Sequence, residues 1–461
     1  MAKALPLPDI VEKRHTVSIW LILLGVFAFL CGCVLLFLED GSQIRTTLPP
    51  LLPRSEAPAP KRFTTIEPAV PRTATAATAA VLNQFRAEFL DSVWREADVA
   101  GVSRATFDRA FAYASTPDPE VLALSAHQPE FDRTTGDYVS AIVNVERIAV
   151  GRARAQQQAA ILGDIERRFG VDRNILLAIW GLESNFGAVK GDRSVIRSLA
   201  TLASADPRRS ALWRAELVAA LAILEQEKLP PENLVGSWAG AMGHTQLMPS
   251  SFLKNAVDYD GTGQRDVWGS VPDALASSGR YLQAAGWASG RPWGREVVVP
   301  PDFDYALASR AAARTMSGWR VLGVRAAAGS LPPDDTAPWH LIVPAGAVGP
   351  AFLVSQNFDA ILSYNQSYSY AVAVGALADR IAGNAPIQAA WPATDLPMSR
   401  DLRIELQEIL AALGFDPGAI DGIAGTKTRD AIRAYQKARN IPADGHPSIA
   451  LLARLRTNRP L

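Results

Sequence analysis

The sequence predicts an α+β chain that is mostly helical. It also predicts a small β-rich part late in a large central domain and a small three-helix domain at the carboxyl end. Three observations carry this. Apolar residues recur at helical spacing in VLNQFRAEFLDSVWREA, VSRATFDRAFAY and NILLAIWGLESNFG. Short β-prone runs, GREVVVP, GWRVLGV, WHLIVPAG and GPAFLVS, cluster between residues 292 and 383 and end in the helical YAVAVGALADRI. Two amphipathic stripes, Leu402–Leu406–Ile409–Leu410–Leu413 and Thr428–Ile432–Tyr435–Gln436, lie among turn glycines in residues 399–458. With 461 residues the chain has room for two or three domains.

Composition removes several function classes. The 46 basic and 46 acidic side chains cancel, which argues against a protein built to coat nucleic acid. At 48% hydrophobic and 20% charged, the chain is neither disordered nor a multi-pass transporter. The two cysteines, Cys31 and Cys33, and five scattered histidines make neither a zinc finger nor an HExxH site. Acid–base chemistry here is expected to use a carboxylate.

The elements follow in order. Residues 1–16 read as a cytoplasmic amino terminus. Residues 17–38, VSIWLILLGVFAFLCGCVLLFL, carry no charge and are long enough to span a bilayer as a helix. Lys13 and Arg14 before them, and Glu39 and Asp40 after, predict an inside-to-outside orientation and an exported remainder. Leu30-Cys31-Gly32-Cys33 offers the alternative of a lipoprotein modified at Cys33. Everything after Cys33 is free of cysteine, so an oxidising compartment poses no pairing problem. Residues 39–80, with PPLLP, APAP and TATAATAA, read as a linker that gives a folded body reach from a membrane. Residues 81–383 are the large domain, with the helical stretch 141–169 expected to break near Gly151 and Gly163. Residues 384–398 are a second linker.

Three runs in the large domain carry chemistry. In NILLAIWGLESNFG, Ile175, Ile179 and Leu182 form one apolar stripe, and Glu183 stands beside it. Its neighbours one turn away, Ile179, Trp180, Phe186 and Gly187, offer nothing to neutralise a carboxylate. Glu183 is then either a buried, protonated general acid or a helix-terminal residue turned to solvent. In GSWAGAMGHTQLMPSSF, Gly236, Gly240 and Gly243 permit close backbone approach, and Gln246 offers donor and acceptor in an otherwise apolar tract; a tight helix–helix crossing gives the same pattern. Asp258, Asp260, Thr262, Gln264 and Asp273 form an acidic loop with Gly263 in the place a calcium loop requires. A metal-free Asx-rich turn gives the same pattern.

Seven blocks in order carry a resemblance over about 300 residues. They are AIWGLESNFG, VIRSLATLA with Arg208 and Arg209 after it, WRAELVAAL, GAMGHTQLMPSSF, AVDYDGTGQRDVW, DALASSGRYLQAAGW, and GPAFLVSQNFDAI followed by YNQS. Residues 81–383 thereby resemble the membrane-bound lytic murein transglycosylase B family. The carboxyl end resembles a type 1 peptidoglycan-binding domain through Leu406-Gln407, Gly414-Phe415, Asp421-Gly422, Gly425, Thr428, Tyr435-Gln436 and Asp444-Gly445.

The resemblance implies a lysozyme-like catalytic core with inserted and appended lobes. It implies cleavage of the MurNAc-β-1,4-GlcNAc bond without water, leaving 1,6-anhydroMurNAc ends, with Glu183 as sole acid and then base. Ser184, Arg208, Arg209, Ser237, Gln246, Tyr364 and Asn365 would line the glycan cleft. No cofactor is required, and the acidic loop is a candidate structural calcium site, although Thr262 stands where the family more often has Asp. His244 and Leu247 also depart from the family's usual residues. The implied partners are peptidoglycan glycan strands, the membrane through residues 17–38, and proteins of cell-wall synthesis or remodelling; nucleic acid is not among them. The implied location is the periplasm, anchored to the inner membrane. A lysozyme-like hydrolase and a non-catalytic peptidoglycan-binding scaffold are the competing readings.

Overall fold

The computed structural model describes residues 76–114, 116–126, 133–206 and 209–457, with only the backbone for 76–87. The expected anchor at 17–38 and most of the 39–80 linker lie outside the described residues. Among the described residues no helix is long and apolar enough to cross a membrane.

Helices dominate, as the periodicity predicts. The first six are α1 (Ala76–Val99), α2 (Arg104–Tyr113), α3 (Pro119–Ala126), α4 (Thr135–Ile142), α5 (Val145–Gln157) and α6 (Ala159–Phe169). Helix α1 begins inside the stretch read as linker. The expected breaks at Gly151 and Gly163 do not occur. Both glycines lie inside helices, and the break falls at Gln158, which ends α5 and starts α6. Gly151 is needed for packing: a Cβ there would come 2.5 Å from Ile381 Cδ1 and 3.2 Å from Phe186 Cζ.

Next come α7 (Arg173–Ser184), β1 (Arg193–Ser194), α8 (Val195–Ala205), α9 (Ser210–Gln226), β2 (Val235–Gly236), α10 (Pro249–Asn255) and α11 (Val271–Ala284). Helices α8 and α9 form a packed hairpin, and α7 is buried among α5, α6, α11 and a later helix. From Ile175 to Ser184 every residue of α7 is buried, so α7 is a core helix and not an amphipathic surface one. Trp180 and Trp213 are among the largest fully buried side chains of this core.

The β-rich part has its own smaller core around Trp319, Trp339, Leu341 and Leu353. It comprises β3 (Gly294–Val298), α12 (Met316–Val321), β4 (Arg325–Ala326), β5 (His340–Ile342) and β6 (Ala351–Val354), with strand order β4-β3-β6-β5 and every pair antiparallel. LIVPAG and PAFLVS pair as neighbours, with Leu341 opposite Leu353. GWRVLGV is not a strand: it forms most of α12, capped by the Thr315 hydroxyl, with only Arg325–Ala326 beyond it extended. Its buried Trp319 and its exposed Val321 fit one turn of an amphipathic helix better than a pleat.

Helices α13 (Gln356–Tyr364) and α14 (Tyr368–Ile381) return the chain to the main core, where α14 packs on α4, α5 and α7. In residues 384–398, read as the second linker, the Gln388 and Ala389 N–H groups donate to Glu296, each at 2.7 Å. Helices α15 (Arg400–Ala412), α16 (Thr426–Ala438) and α17 (Ile449–Thr457) close a third core around Leu406, Leu410, Ile432 and Leu455. Within it Gln407 donates to the Ala419 and Ile423 carbonyls and accepts from Gly422 N, so this motif residue is a structural pin.

Candidate active site

Helix α7 delivers Glu183 one residue before its end. Asp172 starts the helix by accepting Asn174 N at 2.7 Å. The end turns sharply: Asn185 and Phe186 take φ of 49° and 56°, and the amides of both donate to the Trp180 carbonyl. Left-handed conformation in two successive non-glycine residues costs about 1–2 kcal/mol each. Packing holds it. The Phe186 ring sits edge-on to Trp180 and over Gly181, where a Cβ would lie 2.7 Å from the ring.

Glu183 is 5% exposed. The Tyr370 hydroxyl donates to its Oε1 at 2.6 Å, and among the described residues no other hydrogen bond reaches the carboxyl. Burial pushes the Glu183 pKa up to about 8, with the Tyr370 bond working the other way. At neutral pH the carboxyl is therefore protonated. Oε1 accepts from Tyr370, which leaves Oε2 as the oxygen without a hydrogen bond and able to carry the proton. No second carboxylate acts on Glu183 among the described residues.

Tyr364, at the end of α13, donates to the Thr245 carbonyl at 2.7 Å and lies 3.2 Å from Ser278 Oγ. Burial, then the nearby Glu183 charge, pushes both Tyr364 and Tyr370 well above the usual phenol range, so both remain neutral donors. Asn365 is buried beside Tyr364, and its side-chain oxygen accepts Ser367 N at 3.1 Å.

Ser184 is fully buried. Its hydroxyl donates to the His244 carbonyl at 2.5 Å and accepts Gly187 N at 2.9 Å. His244 Nδ1 in turn accepts Trp180 Nε1–H at 3.2 Å, which fixes Nδ1 without a proton. Burial, with the Lys190 charge, lowers the His244 pKa to about 4, so the ring is neutral. His244 thus ties the glycine-rich run to α7 at the residue beside the acid. The sequence alone treats it only as a departure from family usage.

Gln246 and Ser237 hold the same run in shape. Gln246, at φ 51°, donates from Nε2 to the carbonyls of Lys190 at 2.9 Å and Gly243 at 2.8 Å. Ser237 Oγ accepts Ala241 N at 3.0 Å. Arg209 lies at the α8–α9 corner, paired with Asp206 at 3.3 Å and placed over the Trp213 ring. Arg208 lies outside the described residues. The structure therefore gathers Glu183, Ser184 and Tyr364 around the 236–252 run, with Ser237 and Gln246 bracing its backbone and Arg209 held at a separate corner.

Tyr370 is the functional residue that sequence reasoning missed. It stands 187 positions from Glu183, and no local spacing connects them. The available signal was chemical: a buried carboxyl needs a neutral donor, and Tyr370 opens the helical run YAVAVGALADRI.

A helical core with a small antiparallel sheet, and one protonated glutamic acid buried at a helix end, define a lysozyme-like glycan-cleaving class. The model of the transglycosylase SLT domain matches residues 84–379, and that of the peptidoglycan binding domain matches residues 399–455. The chain belongs to the lytic murein transglycosylase family that carries this SLT domain. Membrane-bound lytic murein transglycosylase B of Escherichia coli strain K12 is 34% identical over 221 residues, 46% of this chain and 58% of that protein. The chain thus spans less than two thirds of that relative's length. SltB3 of Pseudomonas aeruginosa, solved in complex with NAG-NAM-pentapeptide, is 48% identical, covering 81% of this chain and 99% of that one, at a TM-score of 0.76. Its complex with NAG-anhNAM-pentapeptide aligns at 0.75 over the same shares. Slt35 of Escherichia coli, solved in complex with calcium, is 26% identical over 65% of this chain and 92% of that one, at 0.54.

Proposed function

We propose that this chain is a peptidoglycan lytic transglycosylase that cuts the MurNAc-β-1,4-GlcNAc bond and leaves a 1,6-anhydroMurNAc end. The observation that carries it is the single protonated carboxyl with one free oxygen. Two-carboxylate glycosidases need a second acid to activate water or to attack the sugar. Among the described residues Glu183 has no such companion. Glu183 Oε2–H protonates the glycosidic oxygen, the C1–O bond breaks, and an oxocarbenium-like centre develops at C1. The Glu183 carboxylate then removes the proton of the MurNAc C6 hydroxyl, whose oxygen bonds to C1. The proton given in the first step is regained in the second, and no water is consumed. The nucleophile belongs to the same sugar, so its effective concentration is high. Tyr370, neutral, keeps the acid oriented as its charge comes and goes.

Digestion of purified peptidoglycan, read by mass spectrometry, tests this. The released disaccharide-peptide must be lighter by one water than the hydrolytic product. A reducing end would instead favour the hydrolase reading. SltB3's complexes with NAG-NAM-pentapeptide and NAG-anhNAM-pentapeptide support the transglycosylase reading.

The same reading puts the enzyme in the periplasm, held to the inner membrane by residues 17–38, with its carboxy-terminal unit on the glycan polymer. Intact mass of the membrane-extracted protein checks the anchor. A retained amino terminus is expected, and a lipid-modified Cys33 would overturn it. Arg208 and Arg209 are proposed to meet substrate carboxylates; loss of both charges should raise KM and leave kcat unchanged.

The 258–273 loop is proposed as a calcium site. The carboxylates of Asp258, Asp260 and Asp273 each offer an oxygen within 4.8 Å of the others, a donor set that suits a hard cation. Asp273 is fully buried at the start of α11, where burial first, and the Asp260 charge after it, raise its pKa. Asp258 is held low by the amides of Gly263, Thr262 and Gly261, so the loop is preformed. Thr262 Oγ1 faces the Gln264 carbonyl at 3.4 Å. Such a cation would stiffen the turn before α11; no catalytic step passes through it. Calcium at about 100 times its Kd should add ~2.7 kcal/mol to unfolding stability. Asp260→Asn should remove that gain in a thermal melt, and an unchanged melt of the unmutated protein on adding calcium counts against the site.

A further inference from the structure

The carboxy-terminal unit sits on the catalytic unit through polar contacts at one end of the small sheet. Asp444 Oδ2 accepts the amide of Ala347 at 2.9 Å, while its Oδ1 accepts Gln436 Nε2 at 2.7 Å and His446 N at 2.9 Å within its own unit. Gly346, at φ 76°, approaches so closely that a Cβ would lie 2.9 Å from Asp444 Oδ2. Across the seam the Arg429 guanidinium lies 5.1 Å from the centre of the Tyr368 ring. Burial lowers the Arg429 pKa, against the pull of Asp444 and Asp395. A partly desolvated guanidinium is retained there by what it touches, and the face of an aromatic ring attracts it electrostatically.

Tyr368 is the first residue of α14, and Tyr370 is two positions later. Two residues turn a helix by about 200°, so these side chains leave opposite faces of one turn. On one face Tyr368 meets the carboxy-terminal unit, and on the other Tyr370 holds Glu183. Ser369 between them lies 2.9 Å from the Thr135 hydroxyl, which also reaches the Pro344 carbonyl at 3.5 Å, in the loop that carries Ala347. The opening turn of α14 is thus held from the module's side, from the β5–β6 loop and from the acid. A unit that served only as a tether needs flexible reach and no such fixed seat.

We infer that the carboxy-terminal unit positions the catalytic acid: Arg429 and Asp444, acting on Tyr368 and Ala347, fix the first turn of α14 and with it the Tyr370–Glu183 hydrogen bond. Arg429 and Tyr368 are positioning residues that touch no substrate. The inference rests on Glu183 as the acid.

The test uses the full chain and a soluble, peptide-free GlcNAc–MurNAc oligomer, for which tethering to an insoluble polymer is irrelevant. Arg429→Ala should lower kcat about 2- to 30-fold with KM unchanged, the span of couplings carried through packed networks. Its alkaline limb should move upward, toward that of Tyr370→Phe, because loosening the Tyr370 bond removes what holds the Glu183 pKa down. Tyr368→Leu, made on the catalytic side, should reproduce both effects and serves if Arg429→Ala disturbs the module. The double variant should be less than additive, since both remove one contact. Wild-type kcat and pH profile on the soluble oligomer in folded variants overturn the inference, even if digestion of whole sacculi slows. The mass of the wild-type product is scored separately: a hydrolytic product would defeat the transglycosylase reading while leaving the positioning effect measurable.

Discussion

Glu183→Gln should lower peptidoglycan cleavage by about 10⁴-fold or more, because one side chain supplies both the acid and the base and each role is worth about 10²- to 10⁴-fold. Binding of glycan should survive. Gln is nearly isosteric, its amide oxygen still accepts from Tyr370, and a buried site loses no charge at neutral pH because Glu183 is already neutral there. Comparing turnover with retention on insoluble sacculi separates the two effects. A variant that cleaves within tenfold of wild type would remove Glu183 from the mechanism. A variant that neither binds nor cleaves would point to a collapsed site.

The same substitution should stabilise the protein, in a pH-dependent way. A carboxyl whose folded pKa is about 8, against 4.5 unfolded, binds more protons folded than unfolded between those values, so stability falls as pH rises through that window. Below pH 4.5 both states are protonated and no penalty exists. Above pH 8 the penalty is complete, at about 5 kcal/mol, taken at about 1.4 kcal/mol for each pH unit of the gap. Glu183→Gln removes the titration. Its advantage in urea unfolding should be near zero at pH 4.5 and grow to several kcal/mol by pH 8.5. Equal curves for the two proteins at both pH values would mean that the carboxyl titrates normally and that its burial is not what keeps the proton. The acid's readiness thus carries a standing cost in stability, as strained functional sites commonly do.

Much of this was legible in the sequence because the signals were local. Helical periodicity located α7, while the absence of any neutralising neighbour one turn from Glu183 left two readings open, a buried acid or a helix end turned to solvent, which only its burial separates. LIVPAG and PAFLVS gave a correct strand pair because both are short, apolar and bounded by turn residues. GWRVLGV misled because β-branched residues raise strand propensity, while burial of Trp319 on one side and exposure of Val321 on the other requires a helical turn. Gly151 misled in the other direction: its role is to admit Ile381 and Phe186, a demand set by distant residues and not by its own backbone. The site's missing half, Tyr370, is of the same kind. Its hydroxyl meets Glu183 only because α14 packs on α7, and no spacing records that. The hydrogen bonds of Gln246 and Ser237 run to backbone groups and shape the 236–252 run itself, a role that residue type alone does not record.

The ring of Phe186 is pressed at once by Gly181 of α7 and Gly151 of α5, with a would-be Cβ at 2.7 Å from one and 3.2 Å from the other. Gly151 is closed first by Ile381, whose Cδ1 would lie 2.5 Å from an added Cβ, so Ile381 belongs to the same packed group. A methyl group at 181 is ruled out while the aromatic remains, and one at 151 needs room from Ile381 as well. A smaller residue at 186 opens a void and frees the strained turn behind the acid. A library randomised at 151, 181, 186 and 381 together should return survivors whose side-chain volumes compensate.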